Sequence, residues 1–207
     1  KEPGLVQEVF TDEIIGRLQG DIAIGHVRYS TTGEACAVDA QPLVVQHKGG
    51  SIALAHNGNL VNAFEIKDRL QDKGAIFQTS IDSEVIANLM ARYSTSMSVE
   101  EAIQKTMDKI HGSYALVITT KQKLIGVRDP YGLRPLCIGK FEDGYVISSE
   151  SCAFHVLDAE FVRDVEPGEI VIIENNEIHS IKVGQDMKKS LCSFEFVYLK
   201  YKFFISI

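Results

Sequence analysis

The chain has 207 residues with a net charge of −7, and 45% of its residues are hydrophobic against 24% charged, a composition typical of a globular protein with a buried core. The negative charge and the lack of a Lys/Arg run argue against nucleic acid or an anionic membrane as a partner. No stretch approaches the roughly 20 apolar residues of a membrane span, and the N-terminal letters KEPGLVQEVF lack the apolar region of a signal peptide, so we expect a cytoplasmic protein.

The first half of the chain is predicted to contain strands followed by helices. Runs rich in Val, Ile and Leu predict strands at 21–29, 43–47 and 51–56. Asn62 is suited to cap a helix over 63–72, and Gly74 is suited to close it.

Two further helices are predicted in the middle of the chain. Apolar residues at helical spacing predict a helix over 83–93. The pair Ser98 and Glu101 forms a capping box, which predicts that a third helix begins at Ser98.

The chain after Gly112 is predicted to form short strands separated by tight turns. These strands are expected at 113–119, 123–127, 136–140, 145–149, 161–165, 169–174 and 177–181. Strands that follow one another through tight turns favour antiparallel pairing. Together with helices clustered in the middle of the chain, they predict a layered α+β domain.

Three polar segments carry residues suited to a binding site. Arg28 follows a predicted strand, where its guanidinium can pair with a carboxylate through two hydrogen bonds. Asn57 and Gly58 follow another strand, where a side-chain amide beside a backbone N–H can form an oxyanion hole. Asp82 lies at a helix start, where its carboxylate can pair with an ammonium group.

Each of these segments also has a purely structural interpretation. Arg28 could pair with a structural Asp or Glu, Asn57-Gly58 could be a simple tight turn, and Asp82 could be a helix cap. As a set they are more specific: they would bind the carboxylate, the ammonium and the reacting amide of one amino acid. The sequence therefore predicts a receptor for an amino acid with a reactive side-chain amide.

Seven motifs spread along the chain resemble a known family. In order they are HVRYSTTG, QPL, LAHNGNLVN, FQTSIDSE, RDPYGLRPL, SSESCAF and VEPGE. Their order and spacing are similar to those of the glutaminase domain of the amidophosphoribosyltransferase family, over roughly Gly4 to Tyr198. Glucosamine-phosphate synthases, a related class, look like HTRWATHG and HNGIIEN at the first two sites and match less well. The resemblance implies an N-terminal nucleophile hydrolase-like fold of four layers (helices, antiparallel sheet, antiparallel sheet, helices), here incomplete.

The resemblance also implies roles for individual residues. Arg28 would bind the glutamine α-carboxylate with Thr31 nearby, Asp82 would bind the α-ammonium, and Asn57 with Gly58 would form the oxyanion hole. The nucleophile would be an N-terminal cysteine whose own amino group acts as the base. The ammonia would pass to a phosphoribosyltransferase domain, which converts phosphoribosyl pyrophosphate to phosphoribosylamine in purine synthesis.

The chain departs from the family pattern at both ends. It begins with Lys1, and its first residues match a family segment that lies after the nucleophile. We expect residues 1–185 to form a glutaminase domain lacking its N-terminal part. We expect residues 186–207 to form the start of a linker to an absent phosphoribosyltransferase domain, followed by an atypical tail. Such a fragment is expected to be inactive alone; the alternative is a non-catalytic glutamine-binding or regulatory module.

The cysteines predict no cofactor in this chain. Their spacing is wide, without a CxxC pair, which favours free thiols in a reducing compartment: they are Cys36, Cys137, Cys152 and Cys192. Cys36 is closest to Arg28 and is interpreted as a loop thiol. Cys192 corresponds to an iron–sulfur ligand in some members, so a cluster is possible only in the full-length protein. That protein would also use Mg²⁺ in its transferase domain and form a homo-oligomer.

Overall fold

The computed structural model describes residues 1–28 and 37–184. The helices are α1 (Val6–Val9), α2 (Asp12–Arg17), α3 (Ala63–Gln71), α4 (Ser83–Tyr93), α5 (Val99–Met107) and α6 (Cys152–Leu157), and a 3₁₀ turn spans Ala37–Asp39. The strands are β1 (Leu43–His47), β2 (Gly50–Leu60), β3 (Gly112–Thr119), β4 (Leu124–Arg128), β5 (Cys137–Phe141), β6 (Gly144–Ser148), β7 (Glu160–Asp164), β8 (Glu169–Glu174) and β9 (Glu177–Lys182).

The strands form two antiparallel sheets. One sheet has six strands in the order β1-β2-β3-β4-β8-β9, and the other has three strands in the order β6-β5-β7. Neighbouring strands in both sheets pair in antiparallel register, as with Leu54 opposite Ile118 in the centre of the larger sheet. The antiparallel pairing predicted from the short turns is confirmed.

Alternating side chains of the six-stranded sheet build two cores on its two faces. On β8, Ile170 and Ile172 pack in the core formed with α3, α4 and α5. The intervening Val171 and Ile173 pack in a second core with residues of the three-stranded sheet. Because successive strand residues point to opposite faces, a strand buried on both sides is apolar throughout, which explains the continuous run in β8.

Helix α6 covers the outer face of the three-stranded sheet. Phe154 on α6 is 2% exposed, and its ring would lie 2.9 Å from a Cβ placed on Gly139 of β5. The glycine therefore lets the helix approach the strand closely. The resulting layers are helices, antiparallel sheet, antiparallel sheet and helix, which is the four-layer arrangement that the family resemblance implies and which confirms the predicted layered α+β domain.

The middle helices follow their sequence signals closely. Helix α4 has the predicted bounds, and α5 has the predicted capping box: Ser98 accepts from the Glu101 N–H at 3.2 Å, and Glu101 accepts from the Ser98 N–H at 2.9 Å. After α3, Gly74 takes a φ of +84°, as a closing glycine does.

Asn62 does not cap α3 with its side chain. Its amide instead donates to the Lys109 carbonyl at 2.9 Å, and its oxygen accepts from the His111 N–H at 2.8 Å. The prediction of Asn62 as a side-chain cap is wrong because a partner distant in sequence competes for the same amide.

The predicted strand at 21–29 is also wrong over its described part. Residues 21–28 pair with no strand in the described parts of the chain, although Ile22, Ile24 and His26 are half-buried in alternation with exposed neighbours. The apolar residues that predicted a strand are thus partly buried, but they form no strand pairing with the described residues. The sequence did not predict α1, α2 or α6. No helix in 1–28 and 37–184 is long and apolar enough to cross a bilayer.

Candidate functional site

Asn57 and Gly58 lie within strand β2 and not in a turn. They pair with Ala115 and Tyr114 of β3, so the tight-turn interpretation is wrong. Gly58 has a φ of +150°, and a Cβ there would lie 2.0 Å from the Ser113 carbonyl oxygen. The glycine is required because two strands approach closely, a constraint that comes from the partner strand and not from neighbouring residues.

Asp82 joins the start of α4 to the end of β2. Its side chain makes no capping hydrogen bond to α4; instead, Oδ2 accepts from the Leu60 N–H at 2.8 Å. Burial acts to raise the pKa of Asp82, but the His56 ring and the N–H groups of Leu60 and Ser83 outweigh it and hold that pKa below its usual value. Asp82 is therefore a carboxylate at neutral pH, and its side chain remains 20% exposed.

His56 lies beneath Asp82 and was not among the residues predicted from the sequence to form the site. It is 4% exposed, and its Nδ1 lies 3.1 Å from Ser83 Oγ and 3.5 Å from Asp82 Oδ1. Gln41 holds its backbone on both sides: the His56 N–H donates to Gln41 Oε1 at 2.7 Å, and Gln41 Nε2 donates to the His56 carbonyl at 3.4 Å. In the sequence it is only a histidine before the motif Asn-Gly, and neither its burial nor its partners have a direct sequence signal.

The loop before α4 is held by two carboxylates. Buried Glu84 accepts from the N–H groups of Gln78 and Thr79 and from the Thr79 hydroxyl, at 2.7 to 2.8 Å. Asp39 accepts from the N–H and the hydroxyl of Ser80 at 3.1 and 2.8 Å. Both sets of hydrogen bonds fix the chain immediately before Asp82, so its carboxylate is displayed from a constrained loop.

Arg28 lies at the end of the described N-terminal segment with its side chain exposed. Its positive charge contributes to the pKa shifts of two neighbouring side chains. Burial tends to raise the pKa of Asp39, but hydrogen bonds from Ser80 and the charges of Arg28 and Lys1 lower it below the usual value. Burial lowers the pKa of His26 and the charge of Arg28 lowers it further, which together outweigh a hydrogen bond to the His56 backbone that acts to raise it. Thr31, the other predicted substrate residue in this segment, lies outside the described residues.

A rigid loop after β4 brings another arginine to the same region. Fully buried Asp129 accepts from the N–H groups of Tyr131, Leu133 and Arg134 at 2.9 to 3.2 Å. Arg128 donates to the carbonyl of Arg134 at 2.8 Å. From the sequence this motif was predicted only as a turn and as a mark of resemblance, with no place near the site.

These elements surround one open cavity of about 680 Å³. Its lining includes Arg28, Asn57, Gly58 and Asp82, together with His26, Gln41, His56, Lys67, Ser83 and Arg134. The structure thus brings together the four described residues predicted to form the site. It combines a cationic side chain, a carboxylate held ionised and an amide in a space large enough for an amino acid.

Comparison with known proteins identifies the family. A family model described as glutamine amidotransferase domain matches residues 26–156, more than half of the chain. The chain belongs to this family. Its fold and the residues around its cavity can therefore be compared with those of other glutamine amidotransferases.

Several curated relatives are named amidophosphoribosyltransferase. The relative from Methanocaldococcus jannaschii is 47% identical over 96% of this chain and 45% of its own length. Those from Archaeoglobus fulgidus and Bacillus subtilis are each 44% identical, over 94% and 96% of this chain and 43% and 42% of their own lengths. The chain thus spans less than half the length of these relatives.

Solved structures agree with this assignment. The chain is similar to a glutamine phosphoribosylpyrophosphate amidotransferase from B. subtilis solved with ADP and GMP, at a TM-score of 0.87 and 42% identity over 94% of this chain and 42% of the other. A structure titled as the allosteric regulatory enzyme of purine biosynthesis matches at 0.89 and 43%, again over 94% and 42%. The N-terminal nucleophile hydrolase-like fold inferred from the sequence is confirmed.

The described cysteines of this glutamine amidotransferase chain are unsuited to nucleophilic attack. Cys137 is buried, and burial raises the pKa of its thiol to about 12. Burial and Glu150 raise the pKa of Cys152. Neither lines the cavity, and a thiol with a raised pKa is a poor nucleophile at neutral pH. Cys36 and Cys192 lie outside the described residues, as does the predicted tail 186–207.

The side chains that could bind a metal ion do not cluster in the part of the chain that the structure describes. No cluster of three or more His, Cys, Asp or Glu side chains there is arranged to hold a metal ion. The iron–sulfur ligand inferred for Cys192 and the Mg²⁺ of a transferase domain stay predictions for the full-length protein.

Proposed function

We propose that the cavity binds glutamine and that the chain forms the glutaminase portion of an amidophosphoribosyltransferase. Arg28 binds the α-carboxylate, Asp82 binds the α-ammonium, and Asn57 and Gly58 stabilise the oxyanion that develops when the side-chain amide is attacked. The observation that supports this most strongly is Asp82, a half-buried carboxylate held ionised at the edge of the cavity that Arg28 also lines.

The charges of the cavity fit the two ends of an amino acid. An ionised carboxylate that already accepts the Leu60 N–H keeps further lone pairs for an ammonium group. The exposed Arg28 guanidinium can move to meet a carboxylate through two parallel hydrogen bonds. A ligand that carries both groups is bound at both ends, which leaves its side chain oriented along the cavity.

The amide donors lie next to these charge partners. Asn57 follows His56 on β2, and Gly58 brings the backbone close without a side chain. An amide and a backbone N–H directed at one oxygen stabilise the negative charge of a tetrahedral intermediate. We therefore propose that the reacting amide of glutamine, and not its charged end, binds at the β2 side of the cavity.

The described lining of the cavity contains no cysteine that could act as the nucleophile. We assign it to an N-terminal cysteine of the full-length protein, whose α-amino group accepts the thiol proton before the sulfur attacks the glutamine carbonyl carbon. The raised pKa of Cys137 and Cys152, and their position away from the cavity, support this assignment. In the full-length protein the ammonia passes to a phosphoribosyltransferase domain, which forms phosphoribosylamine.

A second candidate function is non-catalytic glutamine binding. The constrained loop before Asp82 supports it, because the hydrogen bonds of Glu84 and Asp39 form the binding geometry without a nucleophile. The two functions differ in one measurable respect, the release of ammonia by the full-length protein.

The proposal is tested by titrating the 207-residue chain with glutamine in a calorimeter and by assaying ammonia release by this chain and by the full-length protein. We expect the chain to bind in the millimolar range without ammonia at enzyme-like rates, and the full-length protein to release ammonia; a full-length protein that binds glutamine without releasing ammonia would favour the second function. Asp82→Asn should weaken binding about tenfold or more, because a hydrogen bond to a charged group contributes about 1.5–3 kcal/mol. No heat at millimolar glutamine would reject the binding site, and rapid ammonia release by the chain alone would reject the external nucleophile.

Matched control variants distinguish the loss of a contact in the cavity from a general change in the charge of the protein. Asp143→Asn and Arg17→Lys remove or alter exposed charges outside the cavity, and both should leave the affinity unchanged. Arg28→Lys should weaken it, since lysine keeps the charge and loses the paired hydrogen bonds. Equal effects of Arg28→Lys and Arg17→Lys would contradict the role of Arg28.

A further inference from the structure

We propose that His56 is a positioning residue for glutamine binding: a hydrogen on its Nδ1 holds the Asp82 carboxylate in the orientation that receives the substrate ammonium. This inference rests on the proposed function of the cavity and adds a residue that the amino acid does not touch. It is supported by the burial of the ring, by the two oxygen atoms facing Nδ1 and by the separate hydrogen bond that holds the other oxygen of Asp82.

The His56 ring is held firmly enough to orient another side chain. It is 4% exposed on the face of β2 that also carries Ile52 and Leu54, both in the core beneath the helices. Its backbone N–H and carbonyl both bond the Gln41 side chain. A ring confined by the core on one side and by Gln41 through its backbone has little freedom to turn away from α4.

The neighbours of His56 decide which ring nitrogen carries the hydrogen. Nδ1 faces the Ser83 hydroxyl at 3.1 Å and the Asp82 carboxylate at 3.5 Å. A carboxylate only accepts, whereas a hydroxyl can donate or accept. A hydrogen on Nδ1 can therefore be donated to either neighbour, whereas an unprotonated Nδ1 would direct its lone pair at the negative charge of Asp82.

The other ring nitrogen agrees with this assignment. His56 Nε2 is buried and has no hydrogen-bond partner among the described residues. A neutral ring with its hydrogen on Nδ1 leaves only an acceptor unsatisfied at Nε2, whereas the opposite tautomer would bury an unsatisfied N–H. Orphaned donors are the rarer case in proteins.

The two oxygens of Asp82 are then held from different elements. Oδ2 accepts from the Leu60 N–H at the end of β2, and Oδ1 faces His56. With one oxygen held, the carboxylate could still rotate about its terminal bond, whose torsion is broad. With both oxygens held its plane is fixed, and the remaining lone pairs face the cavity.

Substituting His56 by Asn and by Gln distinguishes a ring that positions the Asp82 carboxylate from a ring that only fills space in the core. The Asn amide can place a donor where Nδ1 lies, whereas the longer Gln amide reaches the position of Nε2. If the ring only fills space, His56→Gln should retain more glutamine binding, because Gln is closer to histidine in volume and leaves a smaller cavity. If the ring positions Asp82, His56→Asn should retain more. We expect His56→Asn to bind glutamine within about threefold of the unsubstituted chain and His56→Gln to bind about tenfold more weakly.

A second measurement reports on Asp82 without any ligand. The carboxyl carbon of Asp82 is followed by ¹³C NMR as pH is lowered, in the unsubstituted chain and in both variants, with thermal unfolding to confirm folding. The Asp82 titration should move to higher pH in His56→Gln and stay near its original position in His56→Asn. His155→Gln, on the exposed face of α6 and away from the cavity, should change neither the titration nor the affinity.

The outcomes distinguish this inference from the proposed function. If the unsubstituted chain binds glutamine and His56→Gln binds equally well, the positioning role is wrong and the binding site stands. If the unsubstituted chain binds no glutamine, the proposed function fails, and the Asp82 titration alone decides about His56. An unchanged titration in His56→Gln overturns the inference in every case.

Discussion

A single residue shows how the sheet determines the site. Gly58 sits opposite Tyr114 in the pairing of β2 with β3, at a φ of +150°. Any side chain there would meet the Ser113 carbonyl, so the strands could not pair in this register. The sheet itself thus requires a glycine at position 58, independently of any ligand in the cavity.

Tyr114, which lies opposite Gly58 in the sheet, has a buried hydroxyl whose removal should not lower the free energy of unfolding. Its side chain is 1% exposed, and its hydroxyl has no hydrogen-bond partner among the described residues. Burial raises the pKa of Tyr114, so the hydroxyl stays neutral. Removing an unsatisfied buried hydroxyl avoids its desolvation cost, so Tyr114→Phe should leave the free energy of unfolding unchanged or raise it by about 1 kcal/mol. Urea unfolding measures the difference.

The control for Tyr114 is a tyrosine that water already solvates. Tyr131 is 42% exposed, and Tyr131→Phe should change the free energy of unfolding by less than about 0.5 kcal/mol. A loss of more than about 1 kcal/mol in Tyr114→Phe would show that the hydroxyl has a partner outside the described residues.

At the scale of elements, the loop before α4 links stability to the site. The Glu84 carboxylate accepts three hydrogen bonds from Gln78 and Thr79. In Glu84→Gln one acceptor oxygen becomes a donor that faces other donors. We expect a loss of about 2 kcal/mol of unfolding free energy and weaker glutamine binding, because the chain that carries Asp82 loses its anchor. Calorimetry and urea unfolding measure the two effects.

The comparison variant for Glu84 lies in the next helix. Ser98→Ala removes the cap of α5, far from the cavity lining, and should cost about 1 kcal/mol of stability. It should leave the glutamine affinity unchanged. If both variants weaken binding in proportion to their stability loss, the loop has no specific role in the site.

The elements whose signals lie within one segment of the sequence were predicted more accurately than those that depend on a distant strand. The apolar period of α4 and the capping box of α5 lie within single segments; α4 was predicted with both its bounds, and α5 with its start. Asn57-Gly58 was predicted as a turn because the local signal for a turn is strong. The structure places it in a strand because β3 supplies partners from more than fifty positions further along the chain.

The sequence predicted the charged and amide residues of the candidate site and missed the residues that support them. Arg28, Asn57, Gly58 and Asp82 carry charges or donors in recognisable motifs, and the structure brings them to one cavity. His56, Gln41 and Glu84 act through hydrogen bonds to other protein groups. Such partners depend on the folded arrangement, so a single sequence gives no direct signal for them.

At the scale of the whole molecule, one ion pair ties the two sheets together. Arg163 on β7 of the three-stranded sheet donates from its two terminal nitrogens to the two oxygens of Glu169 on β8, at 2.9 and 2.8 Å. Glu169 is 5% exposed and also accepts from the Glu166 N–H. The pair therefore holds the smaller sheet at the margin of the second core.

This ion pair predicts a pH-dependent contribution to stability. Burial acts to raise the pKa of Glu169, but Arg163, Ser180 and the Glu166 N–H outweigh it and lower that pKa below the ordinary value of 4.5. A carboxyl with a lowered folded pKa stabilises the fold fully above its unfolded pKa and loses this contribution as pH falls through the folded value. Glu169→Gln should therefore cost about 2 kcal/mol at pH 7, and the difference from the unsubstituted chain should shrink steadily below pH 4.5.

Urea unfolding at a series of pH values from neutral to acid measures this difference, with an exposed carboxyl as the control. Glu142 lies in the turn between β5 and β6 with its side chain in solvent, and Glu142→Gln should give only a small difference in unfolding free energy. A Glu169→Gln difference that stays constant down to the lowest pH at which the chain folds would show that ionisation of Glu169 contributes nothing to the stability of the fold. A difference that grows as pH falls would reverse the sign required by a lowered pKa and would contradict the ion pair.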